Sequence, residues 1–373
     1  MLKRTDRSKL AQWFWTVDHV TIGLSMSLLC TGVIMVMAAS PPVAARINLS
    51  EYHFVIRQAI FILPTIAVML GLSVLSARAL RVVSILSLIG FTGLMLATLF
   101  LGAEVKGATR WLSVGGFRFQ PSEFAKPFFA IVCAWLLGLW REAEDFPGWA
   151  WCSAITAILV SLLVLQPDVG MTFLILATWG VQIFLAGLPM LLVICAVILA
   201  PLALVLAYFT LGHVKARIDH FWHGTSFQVE RSQLSFAEGG LYGVGPGNGA
   251  VKHYLPDSHA DFIFSVMAEE YGLITCLLLM AFYLMLVMRN IVKCASAQDM
   301  FSVLAIAGLT VQFSIQAFIN MGSSMALIPT KGMTLPFISY GGSSLITSGI
   351  TIGLLLALTR SQSAAMPHYR RHA

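Results

Sequence analysis

Long apolar runs of about 20 residues alternate with short polar breaks along this chain. Ten can be marked, near 17–39, 54–76, 80–102, 122–140, 149–166, 169–187, 189–211, 261–288, 300–322 and 343–360. A helix of about 20 apolar residues crosses a hydrocarbon core of roughly 30 Å, so each run predicts a transmembrane helix. The expected fold class is therefore an all-α integral membrane protein with about ten transmembrane helices. Two spans nearly touch at Gly187-Leu188-Pro189. One polar stretch is much longer than the rest, a loop at 212–260. Tails at 1–16 and 361–373 flank a single membrane domain at 17–360, and no separate soluble domain is evident.

Composition agrees with this pattern. The chain is 58% hydrophobic and 11% charged, with mean hydropathy +0.84, whereas soluble domains carry roughly 25% charged residues. Lys3, Arg4, Arg7 and Lys9 lead into a span of full length, which argues against a cleaved signal. With that end in the cytoplasm, twelve Lys and Arg fall in short inner segments and nine in much longer outer ones. This asymmetry sets the orientation and makes the loop at 212–260 extracytoplasmic. Ten spans return the C-terminus to the cytoplasm. The net charge of +6 follows from topology and implies no nucleic-acid partner. Cys30, Cys133, Cys152, Cys195 and Cys276 lie in spans and Cys294 in an inner loop, where disulfides are not expected.

The large outer loop contains GLYGVGPGNGAVKHYLPDSH (240–259), whose glycines allow close backbone approach to a ligand. Gly243, Gly245, Gly247 and Gly249 with Lys252 do not make a P-loop, which needs Gly-Lys-Ser/Thr after a strand. Tyr340-Gly341-Gly342-Ser343-Ser344 lacks the spacing of a nucleophile elbow. It reads as small residues permitting close helix packing. Histidines 213, 220, 223, 253 and 259 share the outer loop, but no metal-ligand spacing links them and no metal site is expected.

Ionisable residues within spans cost free energy and are functional candidates. Here they are Arg57, Glu123, Lys126, Asp168, Asp261, Glu269 and Glu270. Glu123 and Lys126 are three apart and can pair on one helical face. Asp168, in Gln166-Pro167-Asp168, breaks two spans near the outer surface. Asp261 opens its span at that same surface, while Glu269 lies about 12 Å deeper at 1.5 Å per residue. Glu269 and Glu270 therefore read as buried ion-pair members that fix helix register. Asp261, beside His259 and after a cationic Gly-rich loop, stands where a base could meet a lipid-linked polar substrate.

RWLSVGGFRFQPSEFAK (110–126), QPDVG (166–170), GVGPGNGAVKHYLPDSHADFIFSVMAEEYG (243–272) and IPTKGMTLPFISYGGSS (328–344) resemble the SEDS family of shape, elongation, division and sporulation proteins. These are polytopic peptidoglycan glycosyltransferases. The loop motif is closer to the division branch than to the elongation branch. Ala260 stands where the family usually has Thr, which removes a hydroxyl beside Asp261.

The resemblance implies polymerisation of lipid II at the outer face of the cytoplasmic membrane, at the division septum. The glycan on undecaprenyl pyrophosphate would be the donor and a sugar 4-hydroxyl the acceptor, with inversion at the reacting carbon. It implies Asp261 as general base. The outer cations Lys106, Arg110, Lys215, Arg217 and Lys252, together with Trp111 and His259, are the implied substrate-binding residues. Arg57, Glu123, Lys126 and Asp168 would line the central cavity, with Glu269 in support. No cofactor is required, although a divalent cation could assist the pyrophosphate. The implied partners are a class B penicillin-binding transpeptidase and other division-site proteins. Small residues in the spans at 300–322 and 343–360 are expected to receive the transpeptidase's helix. A lipid II flippase and a noncatalytic scaffold for the transpeptidase are the competing functions, and an elongation role is the alternative within the same family.

Overall fold

In the computed structural model the described residues are 8–105, 108–114, 117–143, 145–187, 227–329 and 332–364, with isolated positions between 202 and 219. Eight described helices are long and apolar enough to cross a membrane, and a shorter apolar helix accompanies them. They are α2 (His19–Ala39), α4 (His53–Ser73), α5 (Ala77–Leu101), α6 (Pro121–Glu142), α7 (Gly148–Leu165), the shorter α8 (Val169–Leu185), α10 (Ile263–Ala295), α11 (Met300–Ser324) and α12 (Gly342–Ala364). The described residues also include short helices α1 (Lys9–Thr16), α3 (Pro41–Arg46) and α9 (Phe227–Gly239). Most of the span expected at 189–211 lies outside the described residues.

The all-α expectation holds, with one small addition. Residues between α5 and α6 form a small antiparallel sheet, β1 (Ala103–Val105), β2 (Ala108–Val114) and β3 (Phe117–Phe119), in the order β1-β2-β3. Leu112 pairs with Phe119 and Ser113 with Arg118. The sheet caps one end of the bundle, the end at which Asp261 opens α10.

The opposite end is tied by side chains. Asp18 caps α2 by accepting from the amides of Val20 and Thr21, and it receives a two-pronged pair from Arg289 at 2.7–2.9 Å. Burial would raise the Asp18 carboxyl, yet the hydrogen bonds from Arg289 and Thr21 hold it below the ordinary carboxylate value. Trp13 donates to Ser73, and Arg360 donates to the carbonyls of Val74 and Leu75.

Burial separates the inner helices from the membrane-facing ones. The apolar window of α12 is 89% buried and that of α6 83%, against 17% for α4 and 22% for α5. Leu63, Leu86, Ile89 and Phe100 project outward from α4 and α5, as lipid-facing residues do. The small residues of α12 serve internal packing. A Cβ at Gly349 would lie 2.8 Å from the Thr65 carbonyl, and one at Gly353 2.7 Å from that of Met69, both on α4. This corrects the expectation that 300–322 and 343–360 offer a partner surface, because α12 and most of α11 face the protein interior.

One helix is interrupted. Gly272, at φ +78° and ψ 176°, breaks α10 after Tyr271. A continuous helix would bond the Glu269 and Glu270 carbonyls to the amides of Leu273 and Ile274. Instead those carbonyls accept from Val244 and Gly245 at 2.9 and 3.1 Å, while Leu273 and Ile274 donate to Gly240 and Leu241 at 3.0 and 3.3 Å. The chain following α9 is thus stitched into the break. A Cβ on Gly272 would sit 2.4 Å from the Leu241 carbonyl, so the position needs glycine for both its dihedral and its space.

Candidate active site

Asp261 sits in a turn just before α10. Its amide and that of Ala260 both donate to the Asp257 carbonyl, at 3.0 and 2.9 Å. Asp257 takes φ +50°, a left-handed conformation that a short polar residue tolerates. Three successive carbonyls are then held from outside the turn. His259 accepts from the Tyr340 amide at 2.9 Å, Ala260 from the Ser339 hydroxyl at 2.6 Å, and Asp261 from Asn320 Nδ2 at 2.9 Å. Asn320 also donates to the Met333 carbonyl at 2.7 Å. Next to it, Gly332 lies so near the carboxylate that a Cβ there would be 3.1 Å from Asp261 Oδ2. The backbone of the expected base is therefore held by α11 and by the chain leading into α12, through bonds that do not use its carboxylate.

An aromatic wall flanks this turn. His259 lies 4.4 Å from Phe54 and 5.2 Å from Tyr340, centroid to centroid, and Phe54 and Tyr340 are 4.9 Å apart. Burial raises the Tyr340 phenol, an effect that the hydrogen bond and charge of Arg57 offset only in part, so it stays neutral at physiological pH. Arg57 is exposed in the first turns of α4, at the rim beside Tyr340.

From the turn a polar network runs into the bundle. Glu123 pairs with Lys126 at 2.5 Å, as their spacing predicts, and Lys126 also donates to Gln316 Oε1 at 2.5 Å. Gln316 Nε2 reaches the Thr334 carbonyl at 3.0 Å and the Ser344 hydroxyl at 3.3 Å. The Gln120 amide donates to Ser343 at 3.2 Å, and its side chain to Asp168 Oδ2 at 3.2 Å. Asp168 caps α8 through the Met171 amide, and Arg110 stands 3.6 Å from its carboxylate. Arg110 donates further to the carbonyls of Gln166 and Pro167, clasping the Gln-Pro-Asp turn. Trp111 is half-buried on β2, opposite Ala103.

Asp261, His259 and Arg57 thus share one neighbourhood, and Glu123, Lys126, Asp168 and Arg110 form the network behind it. One expected substrate cation is engaged elsewhere. Lys252 is buried, its ammonium paired with Glu270 and donating to the Ala38 carbonyl at 3.0 Å. This corrects its assignment to a pyrophosphate, because its charge is engaged inside the protein. Lys215 is exposed, 6.0 Å from the centre of the Tyr208 ring. Lys106 and Arg217 lie outside the described residues. Glu269, expected to fix helix register through an ion pair, instead holds backbone amides of the outer loop, and among the described residues no ion pair joins it to a neighbouring helix. Among the described residues, no three His, Cys, Asp or Glu side chains stand close enough together to hold a metal ion.

Sequence reasoning missed Asn320, Gln316, Ser339, Tyr340 and Thr334. A signal existed: Gln312, Gln316 and Asn320 recur every fourth residue, a polar stripe along one face of an apolar helix. The tract Tyr340–Ser344, read as packing residues, does pack closely on α4, but its serines also belong to the network.

Comparison with known proteins agrees with this geometry. The family model described as a cell cycle protein, FtsW/RodA/SpoVE, matches residues 18–364. A probable peptidoglycan glycosyltransferase FtsW of Caulobacter vibrioides is 40% identical, covering 97% of this chain and 94% of that protein. A protein of the same name from Idiomarina loihiensis is 37% identical, covering 94% and 90%. Among solved structures, a chain of a peptidoglycan synthase complex that coordinates polymerization and crosslinking superposes with a TM-score of 0.79. It is 26% identical and is covered over 98% of its length, against 93% of this chain. The Rod shape determining protein RodA of Thermus thermophilus gives 0.68 at 26% identity, over 97% of its length and 93% of this chain. A match that runs from the first long helix to the last, over this bundle and this carboxylate turn, places the chain in the FtsW/RodA/SpoVE family of cell cycle proteins, the SEDS family.

Proposed function

We propose that this chain is a peptidoglycan glycosyltransferase of the septum, polymerising lipid II at the outer face of the cytoplasmic membrane. The observation that carries the reading is the Asp261 turn, a carboxylate at a helix mouth whose backbone is clamped at three successive carbonyls. Asp261 takes the proton from the acceptor's 4-hydroxyl as that oxygen bonds to the donor sugar's anomeric carbon. The bond to the undecaprenyl pyrophosphate breaks, and the pyrophosphate leaves with the electron pair. One displacement inverts an α-linked donor into a β-1,4 product and needs one base. The exposed Arg57 guanidinium at the rim suits the charge that develops on the leaving group. No cofactor enters these steps.

The partner in this reading is a class B penicillin-binding transpeptidase, which is supported by the likeness to a chain of a peptidoglycan synthase complex that coordinates polymerization and crosslinking. Purified full-length protein given labelled lipid II, with and without such a transpeptidase, should yield glycan strands. Transbilayer movement of lipid II without polymer would favour the flippase instead.

The reading requires the domain at 17–360 to present the loop at 212–260 outward and the tails at 1–16 and 361–373 inward. Asn248 is exposed in that loop. Asn248→Cys should therefore react with an impermeant maleimide in intact spheroplasts. Labelling only after lysis would invert the topology and remove the substrate's access.

A further inference from the structure

The outer loop is held by two carboxylates that rise from within a membrane helix. Glu269 Oε1 accepts from the Val251 amide at 2.6 Å and its Oε2 from the Lys252 amide at 3.0 Å. Glu270 Oε2 accepts from the Gly247 amide at 3.0 Å, and its Oε1 receives the Lys252 ammonium. Both glutamates are 1% exposed, so these donors replace their water. Gly249 passes so near that a Cβ there would lie 2.9 Å from the Glu269 carboxyl carbon. The four contacts fold residues 247–252 onto α10 just before the Gly272 break. Lys252 extends the clasp to the end of α2 through the Ala38 carbonyl.

The chain then runs only nine residues from Lys252 to Asp261. On the way, Arg46 donates to the Leu255 carbonyl at 2.9 Å and Ser258 to that of Ala39 at 3.1 Å. Asp261 thus ends a short tethered segment that lies between two larger sets of contacts. One is the clasp at Glu269 and Glu270. The other is the clamp made by Tyr340, Ser339 and Asn320. Charged acceptors bond backbone amides more strongly than neutral ones, which gives a reason for two carboxylates at this depth.

We propose that Glu269, Glu270 and Lys252 are positioning residues for the reaction: they clasp the outer loop to α10 and so set the place of Asp261. None of them touches substrate in this role, which rests on the glycosyltransferase reading above. A reacting group displaced by about 1 Å can lose on the order of 10²-fold in rate.

The test uses the full-length protein in nanodiscs, with Glu269→Gln and the double variant Lys252→Met with Glu270→Gln. The double variant leaves no unpaired buried charge, so it carries the test if the single change harms folding. Amide hydrogen exchange in peptides covering 247–262 should accelerate at least about tenfold, while α6 and α11 stay as protected as in wild type. With labelled lipid II, kcat per folded molecule should fall about 10- to 100-fold. The acid limb of its pH profile should shift by about half a unit or more, since Asp261 changes surroundings. General destabilisation would not move that limb. Unchanged exchange in 247–262 would overturn the clasp. Accelerated exchange with kcat and acid limb as in wild type would overturn the positioning role. A wild type that makes no glycan would instead retire the glycosyltransferase reading, and the positioning role with it.

Discussion

Asp261→Asn should abolish nearly all glycan synthesis while leaving the protein folded and inserted. The substitution keeps the side chain's shape and removes its basicity, and general-base assistance is typically worth 10²–10⁴-fold. The fold should tolerate it because the turn is held through carbonyls: those of His259, Ala260 and Asp261 are each bonded from outside, and none of these bonds uses the carboxylate. The variant should therefore melt within a few degrees of wild type and still bind lipid II. Polymer would be measured on gels from labelled lipid II under single-enzyme conditions. A residual rate above about a tenth of wild type would be too high for a base contributing 10² or more. Asp168 would be a weak replacement, since it is engaged as a helix cap and by Gln120 and Arg110.

Much of the scaffold was legible because a bilayer imposes a length. The observed α2, α6, α8 and α11 lie within a few residues of the runs marked at 17–39, 122–140, 169–187 and 300–322. What hydropathy could not show was local departure from the helix. Gly272 sits inside a run apolar enough to mask its break, and only the four bonds to residues 240–245 reveal why it breaks there. Hydropathy also passes over the small sheet, because strands of three to seven residues are too short to register as membrane-crossing runs.

Within the site, legibility followed sequence distance. Glu123 and Lys126 are one turn apart, so their pair could be read directly. Lys252 and Glu270 are eighteen residues apart across a turn and a helix mouth, and a lysine in an outer Gly-rich loop looked like a phosphate ligand. Neutral polar residues carry no charge to mark them within an apolar run. Gln316 and Asn320 nevertheless make the connections, Gln316 joining Lys126 to Thr334 and Asn320 joining Asp261 to Met333.

Lys126→Met tests whether that network is structural alone. The Glu123 and Lys126 side chains are 11% and 5% exposed, so removing the ammonium leaves a carboxylate buried without its partner. Loss of one member of a buried pair often costs about 3–5 kcal/mol, and the single variant should show a clearly lowered melting temperature in detergent. Adding Glu123→Gln removes the orphaned charge, and the double variant should regain most of the wild-type melting temperature. Activity should not return with it. Lys126 also holds Gln316, whose amide reaches Thr334, in the chain that passes from Gly332 at Asp261 to Tyr340 at the aromatic wall, and Ser344 in the first turn of α12. Methionine cannot replace that donor, so the segment beside the base loses an anchor even when the bundle is stable. A double variant that recovers both melting temperature and polymerisation would confine the pair to holding the fold. One that recovers melting temperature alone would tie a charge pair on α6 to the placement of chemistry at the mouth of α10.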